Sequence, residues 1–412
     1  METSSNNSLI SLDLALDRLR EALLPITESD WLPLEYVLGR TLATPIVAPI
    51  NVPPSDNSAM DGYAVHVDIA AAPGSTWTLV GKALAGTPWQ GRLQPNECIR
   101  ITTGAMLPDG ANTVAIQEDV TLEQDRIILN ETLVQGEHMR PAGDDIQQGA
   151  IVLAAGKTLG VADIGMLAAL GIAEVEVIRP LRIALFSTGD ELKEPGSTLK
   201  PGQIYESNRI MLTHLLKSLP IELTDLGILA DDPALLRETF LAAADSHDIV
   251  ISTGGVSVGD ADYTHEILQE IGEIAFWKLA IKPGKPVAFG RLNEAWFFGL
   301  PGNPVSALVT AHHIILPALR YMSGQPWKEP FQIKAVSTKN FYKRPGRQDF
   351  QRALLTRNHQ GDWEVEPTDG QGSHMLLSFS KANAYAVLPA ASGDIPIGSM
   401  VTVIPFGAEL TG

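Results

Sequence analysis

The chain opens with apolar residues at helical spacing. Leu12, Leu16, Leu19 and Leu23 recur every three or four positions behind Ser11, a residue type that favours the N-cap of a helix. This pattern predicts an amphipathic helix whose apolar face packs on the core. Since that face carries no reactive group, we assign the helix to packing.

From about Asn51 to Pro141 the pattern changes to short apolar runs broken by Gly, Pro, Asn and Asp. Runs of this kind predict a β-rich, barrel-like domain. Between Gly149 and Ile178 the segments AIVLAAGKTL, VADIGMLAAL and AEVEVI follow one another. They predict a hairpin, a short helix and a strand. Together these form a connecting module between the β domain and the segment that follows it.

From Leu181 to about Gly324, strand-like and helix-like segments alternate, and after Pro330 strand-like segments return. The alternation predicts an open, mostly parallel sheet with helices on both faces. The predicted fold class is therefore α/β plus β, with a doubly wound α/β domain. We expect four parts: an N-terminal helical and connecting module (1–50 and 142–178), the barrel-like β domain (51–141), the α/β domain (179–328) and a C-terminal β domain (329–412).

Composition narrows the class of protein. The chain has 412 residues and a formal net charge of -18, which argues against non-specific binding to nucleic acid or to anionic membranes. The N-terminal segment METSSNNSLI lacks the features of a signal peptide, and no window is apolar enough to cross a bilayer. We expect a cytoplasmic protein. Cys98 is the single cysteine, so an internal disulfide and a cysteine-pair zinc site are excluded and a core position is expected.

The segments that follow the predicted strands of the α/β domain are polar and rich in glycine. In open α/β sheets, ligands bind outside the carboxyl ends of the strands. These segments are STGDEL at 187–192, Asp231 with Asp232, TGGVSVGDAD at 253–262, and LPGNP at 300–304. We expect the four loops to converge on one edge of the sheet.

The loop from Thr253 to Gly259 has the composition of an anion cradle. Its glycines let backbone amides approach a ligand closely, and a helix N-terminus follows, so it suits a phosphate. It matches neither the Walker A pattern nor the GxGxxG fingerprint. Turn geometry alone also explains glycine in such a loop.

A basic segment interrupts this acidic chain. Lys278, Lys282 and Lys285 occur within WKLAIKPGKP, and no acid lies between Glu273 and Glu294. Proline and glycine among the lysines indicate a shaped loop and not a solvated helix face, so we favour anion binding. The run KRPGR at 343–347, with Arg352 nearby, is a similar basic loop.

Carboxylates form the third group of candidates. They are Asp61, Asp144, Asp145, Asp190, Glu191, Asp231, Asp232, Asp260 and Asp262. Such oxygen ligands suit Mg²⁺, which is held by one or two carboxylates together with substrate phosphate. Their positions at strand ends favour Glu191, Asp231 and Asp262, whereas most acids only solvate a surface. An HExxH motif is absent and a classical serine triad lacks support. His312 and His313 lie in an apolar helix, where a core role is expected.

Several motifs in a fixed order resemble one family. They are NSAMDGYAV, STGDEL, STGGVSVGDADYT, FWKLAIKPGKP, LPGNPVSA and PGRQDFQR. Together they resemble the MoeA family, the molybdopterin molybdenumtransferases that are also represented by the E domain of gephyrin. The resemblance covers nearly the whole chain.

The resemblance implies an elongated homodimer. In such proteins the active cleft lies between the molybdopterin-binding α/β domain of one subunit and the barrel-like domain of the other. This arrangement would explain how Asp61 acts together with a loop nearly two hundred residues away. The enzyme that adenylylates molybdopterin is a candidate partner.

The reaction implied is ligation of molybdate to adenylylated molybdopterin, with Mg²⁺ and with loss of AMP. The implied catalytic residues are Asp61, Thr103, Glu191, Asp231, Asp262, Lys278 and Lys282, and Glu191, Asp231 and Asp262 are also the expected metal ligands. The residues expected to bind the pterin substrate are Arg140, Asp145, Ser187, Thr188, Gly254, Gly255, Ser257, Gly259, Pro301, Asn303, Pro304, Arg352 and Ser373. Lys278 and Lys282 would bind molybdate or the anionic transition state.

Two other functions stay open from the sequence. One is ATP-dependent adenylylation of molybdopterin, which uses a similar sheet; the flanking β domains favour the transferase. The other is a non-enzymatic scaffold that binds a partner peptide, as gephyrin does. The full set of carboxylates and lysines argues against a purely structural role.

Overall fold

The computed structural model describes residues 9–255, 263–407 and 410, without the side chains of His265 and Trp277. The chain forms two compact units. One comprises Met1–Asp30, Gly39–Thr41 and Ile178–Gly412, and the other comprises Trp31–Leu38 and Leu42–Val177. The division into four parts stays a prediction.

The first helix, α1 (Leu12–Ala22), is the predicted amphipathic helix. The Ser11 side chain accepts a hydrogen bond from the backbone N–H of Leu14 at 3.2 Å, which caps the helix. Leu12, Ala15 and Leu19 are buried, so the apolar stripe faces the core and the prediction is confirmed.

The unit from 31 to 177 contains one large sheet. Its elements, with the strand that enters the unit and the strand that leaves it, are β1 (Ser29–Pro33), β2 (Ile46–Val47), β3 (Asn57–Ser58), β4 (Gly62–Val65), β5 (Ala70–Ala71), β6 (Thr76–Ala83), β7 (Glu97–Ile101), β8 (Thr113–Ile116), β9 (Val120–Glu123), β10 (Arg126–Leu129), β11 (Leu133–Val134), β12 (Met139–Arg140), β13 (Ile151–Leu153), α2 (Val161–Ala169) and β14 (Glu174–Ile178). The large sheet has the order β8-β4-β7-β6-β10-β9 and is curled.

Both faces of the curled sheet are covered. Along β4, Tyr63 and Val65 belong to one apolar cluster and Ala64 to another, because side chains alternate between the faces of a strand. Cys98 is fully buried on β7, as expected. Burial raises the pKa of its thiol to about 12.

The predicted hairpin in AIVLAAGKTL is wrong. β13 pairs with β2, about one hundred residues upstream, and the chain then turns directly into α2. The apolar run IVL is compatible with pairing to a following strand, as in a hairpin, or to the distant β2. The pattern of residues along a strand does not encode which strand lies beside it. The helix and the strand predicted after it are present as α2 and β14.

The second sheet is the predicted α/β sheet. The elements of the segment that contains it are β15 (Leu181–Thr188), β16 (Leu192–Lys193), β17 (Ile204–Tyr205), α3 (Asn208–Leu216), β18 (Ile221–Leu229), α4 (Pro233–Ser246), β19 (Ile249–Thr253), α5 (Tyr263–Ile271), β20 (Glu273–Lys278), β21 (Ile281–Lys282), β22 (Pro286–Leu292), β23 (Ala295–Leu300), α6 (Pro304–Thr310) and α7 (Leu316–Met322). The strand order of the sheet is β18-β15-β19-β23-β22-β20, and strands β16 and β17 pair with each other outside it. The first four strands are parallel, and β22 and β20 add antiparallel pairs.

Helices cover both faces of this sheet. Ile183 and Leu185 of β15 pack in a cluster with residues of α3, α6 and α7, whereas Ala184 and Phe186 pack with residues of α4 and α5. The sheet is therefore doubly wound, as predicted. A π turn, Ala311–Ile315, joins α6 to α7 and holds His313 in the core.

A closed barrel lies in the C-terminal segment. Its elements are β24 (Ile333–Ser337), β25 (Gln348–Arg357), β26 (Trp363–Pro367), α8 (Leu377–Ser380), β27 (Ala384–Leu388) and β28 (Met400–Pro405). The order β25-β26-β24-β28-β27 closes through pairing of β27 with β25, and β21 adds to β25 from outside. The sequence predicted strands here without predicting closure.

Within the described part of the chain, no helix has the length and apolar character needed to span a membrane.

Candidate functional site

A cleft of about 840 Å³ opens at the carboxyl edge of the parallel strands. It lies where β15, β18, β19 and β23 end, and the loops that follow these four strands line it. The lining residues are Ser187, Thr188, Gly189, Glu191, Leu192, Ile204, Tyr205, Glu206, Ser207, Asn208, Asp231, Thr253, Gly254, Gly255, Pro286, Pro301, Gly302, Asn303, Pro304 and His374. The four loops therefore converge as the strand pattern predicted, and at the edge where such sheets bind ligands.

The predicted site residues fall into groups. Those that line the cleft are Ser187, Thr188, Glu191, Asp231, Gly254, Gly255, Pro301, Asn303 and Pro304. Lys278, Lys282, Arg352 and Ser373 belong to the same compact unit but are not among the lining residues, and Asp61, Thr103, Arg140 and Asp145 belong to the other unit. Ser257, Gly259 and Asp262 lie outside the described residues.

Gly254 and Gly255 pass so close to β15 that a side chain would not fit. Their φ values are +89° and +64°, in the left-handed region that favours glycine. A Cβ on Gly254 would lie 2.3 Å from the carbonyl oxygen of Thr188, and one on Gly255 would lie 2.4 Å from Oγ1 of Thr264. Glycine is therefore required here by close packing as well as by the turn.

Asp231 is tied to the end of β15. Its Oδ1 accepts a short hydrogen bond from the hydroxyl of Thr188, and its backbone N–H donates to Oδ1 of Asp190 at 3.2 Å. Glu191 lies on the same loop as Asp190, and its carbonyl accepts from the N–H of Ile204 at 2.9 Å. Two loops thus present the carboxylates of Glu191 and Asp231 to one cleft.

Sequence reasoning missed the segment that precedes α3. Glu206 is buried, and its Oε1 accepts from the Ser187 hydroxyl at 3.0 Å and from the N–H of Arg209 at 2.7 Å. Asn208 donates from Nδ2 to Oγ1 of Thr253 at 2.9 Å and to the carbonyl of Gly302 at 2.8 Å. The polar run YESN before a helix was the available signal. These side chains fix the loops after β15, β19 and β23 relative to one another.

The C-terminal barrel contributes a loop to the cleft. The carbonyl of Ser373 accepts from the backbone N–H of Val305 in the first turn of α6 at 3.1 Å, and the next residue, His374, lines the cleft. Arg352 is fully buried and donates from Nη2 to the carbonyls of Gly370 at 3.2 Å and Gly372 at 3.3 Å. The Arg352 guanidinium therefore holds the loop that carries Ser373 and His374.

The basic segment is not a helix, as predicted, but two of its lysines lie on strands and not in a loop: Lys278 ends β20 and Lys282 ends β21. Lys282 lies on β21, and its Nζ donates to Oδ2 of the buried Asp349 at 3.3 Å. Gln351 also donates to that carboxylate, at 3.1 Å. The Lys282 side chain stays 45% exposed, so an anion can reach it. Asp349 lies within the motif PGRQDFQR, but the sequence analysis did not single it out as a site residue.

Asp61 and Thr103 form a pair in the other unit. Oδ1 of Asp61 accepts from the backbone N–H of Thr103 at 2.7 Å and from its hydroxyl at 3.0 Å. The backbone hydrogen bond and then the hydroxyl hold the pKa of this exposed carboxyl below its ordinary value. Arg140 and Asp145 are also exposed in this unit. The structure thus brings together two site residues that are separated along the chain.

The described residues contain no group of three His, Cys, Asp or Glu side chains close enough to hold a metal ion. A dedicated metal cage of the zinc type is therefore absent from that part of the chain. Glu191 and Asp231 line one cleft, and carboxylate oxygens are ligands of the kind that Mg²⁺ prefers.

A doubly wound sheet with a cleft at the carboxyl edge of its strands is typical of α/β proteins that bind a ligand at that edge. Residues 184–321 match a family model described as a probable molybdopterin binding domain. Residues 10–171 match the MoeA N-terminal region (domain I and II), and residues 334–406 match the MoeA C-terminal region (domain IV). The chain therefore belongs to the MoeA family, the molybdopterin molybdenumtransferases of molybdenum cofactor biosynthesis.

Individual relatives support this assignment. The molybdopterin molybdenumtransferase of Haemophilus influenzae is 44% identical over 401 residues, which cover 97% of this chain and 99% of that protein. Gephyrin of Dictyostelium discoideum is 32% identical and covers 90% of this chain, but only 58% of its own length takes part. The crystal structure of a molybdopterin biosynthesis moeA protein from Pyrococcus horikoshii superposes with a TM-score of 0.83 at 29% identity, over 97% of this chain and 100% of that one.

Proposed function

We propose that this chain inserts molybdenum from molybdate into adenylylated molybdopterin, with Mg²⁺ present, and releases AMP. The observation that carries the proposal is the cleft at the carboxyl edge of the molybdopterin-binding domain, where Glu191 and Asp231 face the loop of Gly254 and Gly255. Such a cleft offers backbone approach to a phosphate and oxygen donors for a cation.

The role of the cleft is to hold and orient the phosphoanhydride of the substrate. Gly254 and Gly255 let the backbone come close to phosphate oxygens, and Asn208 keeps their loop in register with the loop of Gly302. Fixed donors in a cleft lower the barrier because they need no rearrangement as charge develops.

Glu191 and Asp231 would hold Mg²⁺ together with phosphate oxygens, and Asp262 would join them. The hydroxyl of Thr188 restrains the Asp231 carboxylate, so one of its oxygens is oriented in advance. When bound, the cation neutralises phosphate charge. Ser187, Ser257, Gly259, Pro301, Asn303 and Pro304 would complete the pterin phosphate site.

Lys278 and Lys282 would bind molybdate. Asp349 restrains Lys282 while nearly half of the lysine side chain stays exposed, so a tetrahedral oxyanion can accept hydrogen bonds from its ammonium group. Arg352 and Ser373 would act from the C-terminal β domain, Arg352 through the loop that it holds. Arg140 and Asp145 would contact the pterin substrate from the other unit.

We further propose that the protein is a homodimer in which Asp61 and Thr103 act on the cleft of the second subunit. The hydrogen bonds from Thr103 hold the Asp61 carboxylate in place and lower its pKa. The adenylylating enzyme would be the partner that delivers the substrate.

The test is AMP release from adenylylated molybdopterin, with and without molybdate and Mg²⁺. Molybdate-stimulated release is expected from the wild-type chain, and Asp231→Asn should lower it by at least about 10-fold, since the loss of a group that only orients a metal ligand already costs about 10- to 100-fold. The matched control is Asp232→Asn. Asp232 caps α4 by accepting from the N–H groups of Ala234 and Leu235, and asparagine caps equally well, so this variant should keep wild-type activity.

The outcomes separate the candidate functions. ATP consumption without molybdate-stimulated AMP release would identify an adenylyltransferase. If the protein neither releases AMP nor consumes ATP, the non-enzymatic scaffold is the function that remains. If the Asp231→Asn variant releases AMP as fast as the Asp232→Asn variant, the Asp231 carboxylate takes no part in the reaction, and the proposed role of the cleft is wrong.

A further inference from the structure

We propose that His374 binds a phosphate oxygen of the substrate in the cleft, although no family motif used above includes it. The imidazole would donate a hydrogen bond to the phosphoanhydride and add positive charge when protonated. This inference rests on the proposed function, because it takes the adenylylated pterin as the ligand.

The charge of the cleft calls for such a group. The lining residues include three carboxylates, Glu191, Glu206 and Asp231. His374 is the one lining side chain within the described residues that can carry a positive charge, and the lysines discussed above are not among the lining residues. A phosphoanhydride brings further negative charge, and the proposed Mg²⁺ would offset part of it. A side chain that donates a hydrogen bond and can become cationic complements the rest.

The position of His374 is fixed from two sides. On one side, the carbonyl of Ser373 accepts from Val305 N–H at 3.1 Å, next to the lining residues Asn303 and Pro304. On the other side lies Arg352, which holds Gly370 and Gly372. A loop that is anchored in this way presents its side chain without a large loss of conformational entropy on binding.

Gln371 strengthens the second anchor. Its Oε1 accepts from the backbone N–H of Arg352 at 3.0 Å, and its Nε2 donates to the Arg352 carbonyl at 2.8 Å. The side chain of Gln371 thereby continues the hydrogen bonding of β25 into the loop. A barrel strand, and not a free tail, therefore sets where His374 stands.

Gly372 allows a second kind of perturbation. A Cβ on this residue would lie 3.0 Å from Cε1 of His374, so the imidazole rests directly over the glycine. The same Cβ would lie 3.2 Å from Cγ and Sδ of Met375. Gly372→Ala therefore keeps the imidazole and its chemistry but crowds both side chains, so that the ring is displaced slightly.

The experiment measures the affinity for inorganic pyrophosphate in the presence of Mg²⁺ by calorimetry. Pyrophosphate carries the phosphoanhydride without pterin or adenine. His374→Asn should weaken binding about tenfold, since a charge-assisted hydrogen bond is lost. His374→Arg should recover most of that loss, His374→Glu should weaken binding further, and Gly372→Ala should lie between wild type and His374→Asn.

The matched control is His359→Asn. His359 is exposed between β25 and β26, in the same barrel but away from the cleft lining, and its replacement should leave the affinity unchanged. Thermal unfolding of each variant shows whether it folds. Recovery by arginine is the readout that a purely structural role of His374 would not produce.

Unchanged pyrophosphate affinity in both His374→Asn and His374→Glu would overturn the inference, and so would absence of pyrophosphate binding by the wild-type protein. Molybdate-stimulated AMP release from the same preparation would still support the proposed function in either case. If the wild-type protein shows no molybdate-stimulated AMP release, that result would instead count against the proposed function.

Discussion

At the scale of single residues, close packing around Gly254 restricts that position to glycine. Its φ is +89°, and a Cβ on it would lie 2.3 Å from a backbone oxygen, so there is no room for any side chain. At this scale, the glycine is part of the binding surface because it lets the loop after β19 lie against the end of β15.

We predict that Gly254→Ala lowers the free energy of unfolding by at least about 2 kcal/mol, the order expected for a strained left-handed residue. AMP release should fall as well, because the loop must withdraw from the Thr188 carbonyl. Chemical denaturation and the AMP assay check both effects.

Gly393→Ala is the control for that substitution. Gly393 has open space around its Cβ position and no left-handed φ, so the replacement should be neutral within about 0.5 kcal/mol. Equal stability of the two variants would show that the close approach at Gly254 is not tight in solution.

At the scale of elements, β15 and β19 are joined at their amino ends by an ion pair. Arg179 donates to Asp248 in a bidentate arrangement, at 2.7 Å and 2.9 Å, and the backbone N–H of Arg182 donates to the same carboxylate at 2.8 Å. Burial works to raise the pKa of Asp248, but the hydrogen bonds from Arg179 and Arg182 and the charge of Arg179 together lower it to about 2.

This shift predicts a dependence of stability on pH. Because the pKa of Asp248 in the folded state, about 2, is below its ordinary value of 3.8, the carboxylate stabilises the fold above about pH 4. That contribution is lost as the pH falls from about 4 to 2. Asp248→Asn should therefore cost on the order of 1–2 kcal/mol at neutral pH, after allowance for partial exposure.

Unfolding in urea at a series of pH values is the measurement. The difference between wild type and Asp248→Asn should shrink as the pH approaches 2. A difference that stays constant across this range would show that the ion pair does not titrate with the fold. AMP release at neutral pH should be unaffected by the change, because Asp248 lies at the edge of the sheet opposite the cleft.

At the scale of the whole molecule, the proposed dimer can be tested by mixing inactive variants. If Asp61 serves the cleft of the second subunit, a heterodimer of Asp61→Ala and Asp231→Asn chains contains one intact site and one doubly altered site. Random reassortment should then restore about one quarter of wild-type activity, since half of the dimers are mixed and each has one working site.

The readout is AMP release after the two variants are unfolded together and refolded, beside each variant treated alone. No recovery in the mixture, with dimers present by light scattering, would place Asp61 in the site of its own chain. A monomer in solution would end the proposal of a shared site.

Much of this architecture was accessible from the sequence, and the limits have physical causes. The spacing of apolar residues predicted α1 and the alternating helices and strands of the α/β sheet. Burial of one helix face or of both sheet faces requires apolar residues at regular positions in the sequence. The closure of the C-terminal barrel was not accessible, since β25 pairs with both β26 and β27 and its ten residues do not encode a choice of neighbours.

The candidate site shows the same limit. Glycine-rich loops after strands marked the cleft, and Thr188, Glu191 and Asp231 were found in this way. Glu206 and His374 were missed because they reach the cleft from a helix start and from another domain. Hydrogen bonds between residues far apart in the chain place them there, and local patterns carry no trace of such bonds.

The arrangement of β15 separates two traits of the protein. Its amino end carries the Arg182 contact to Asp248 and its carboxyl end carries Thr188, roughly 20 Å away at about 3.3 Å per residue. Changes that adapt one end to heat or acidity need not disturb the other. A lineage that moves between hot and cool habitats could therefore adjust its heat tolerance at one edge of the sheet, while selection on turnover acts on the other.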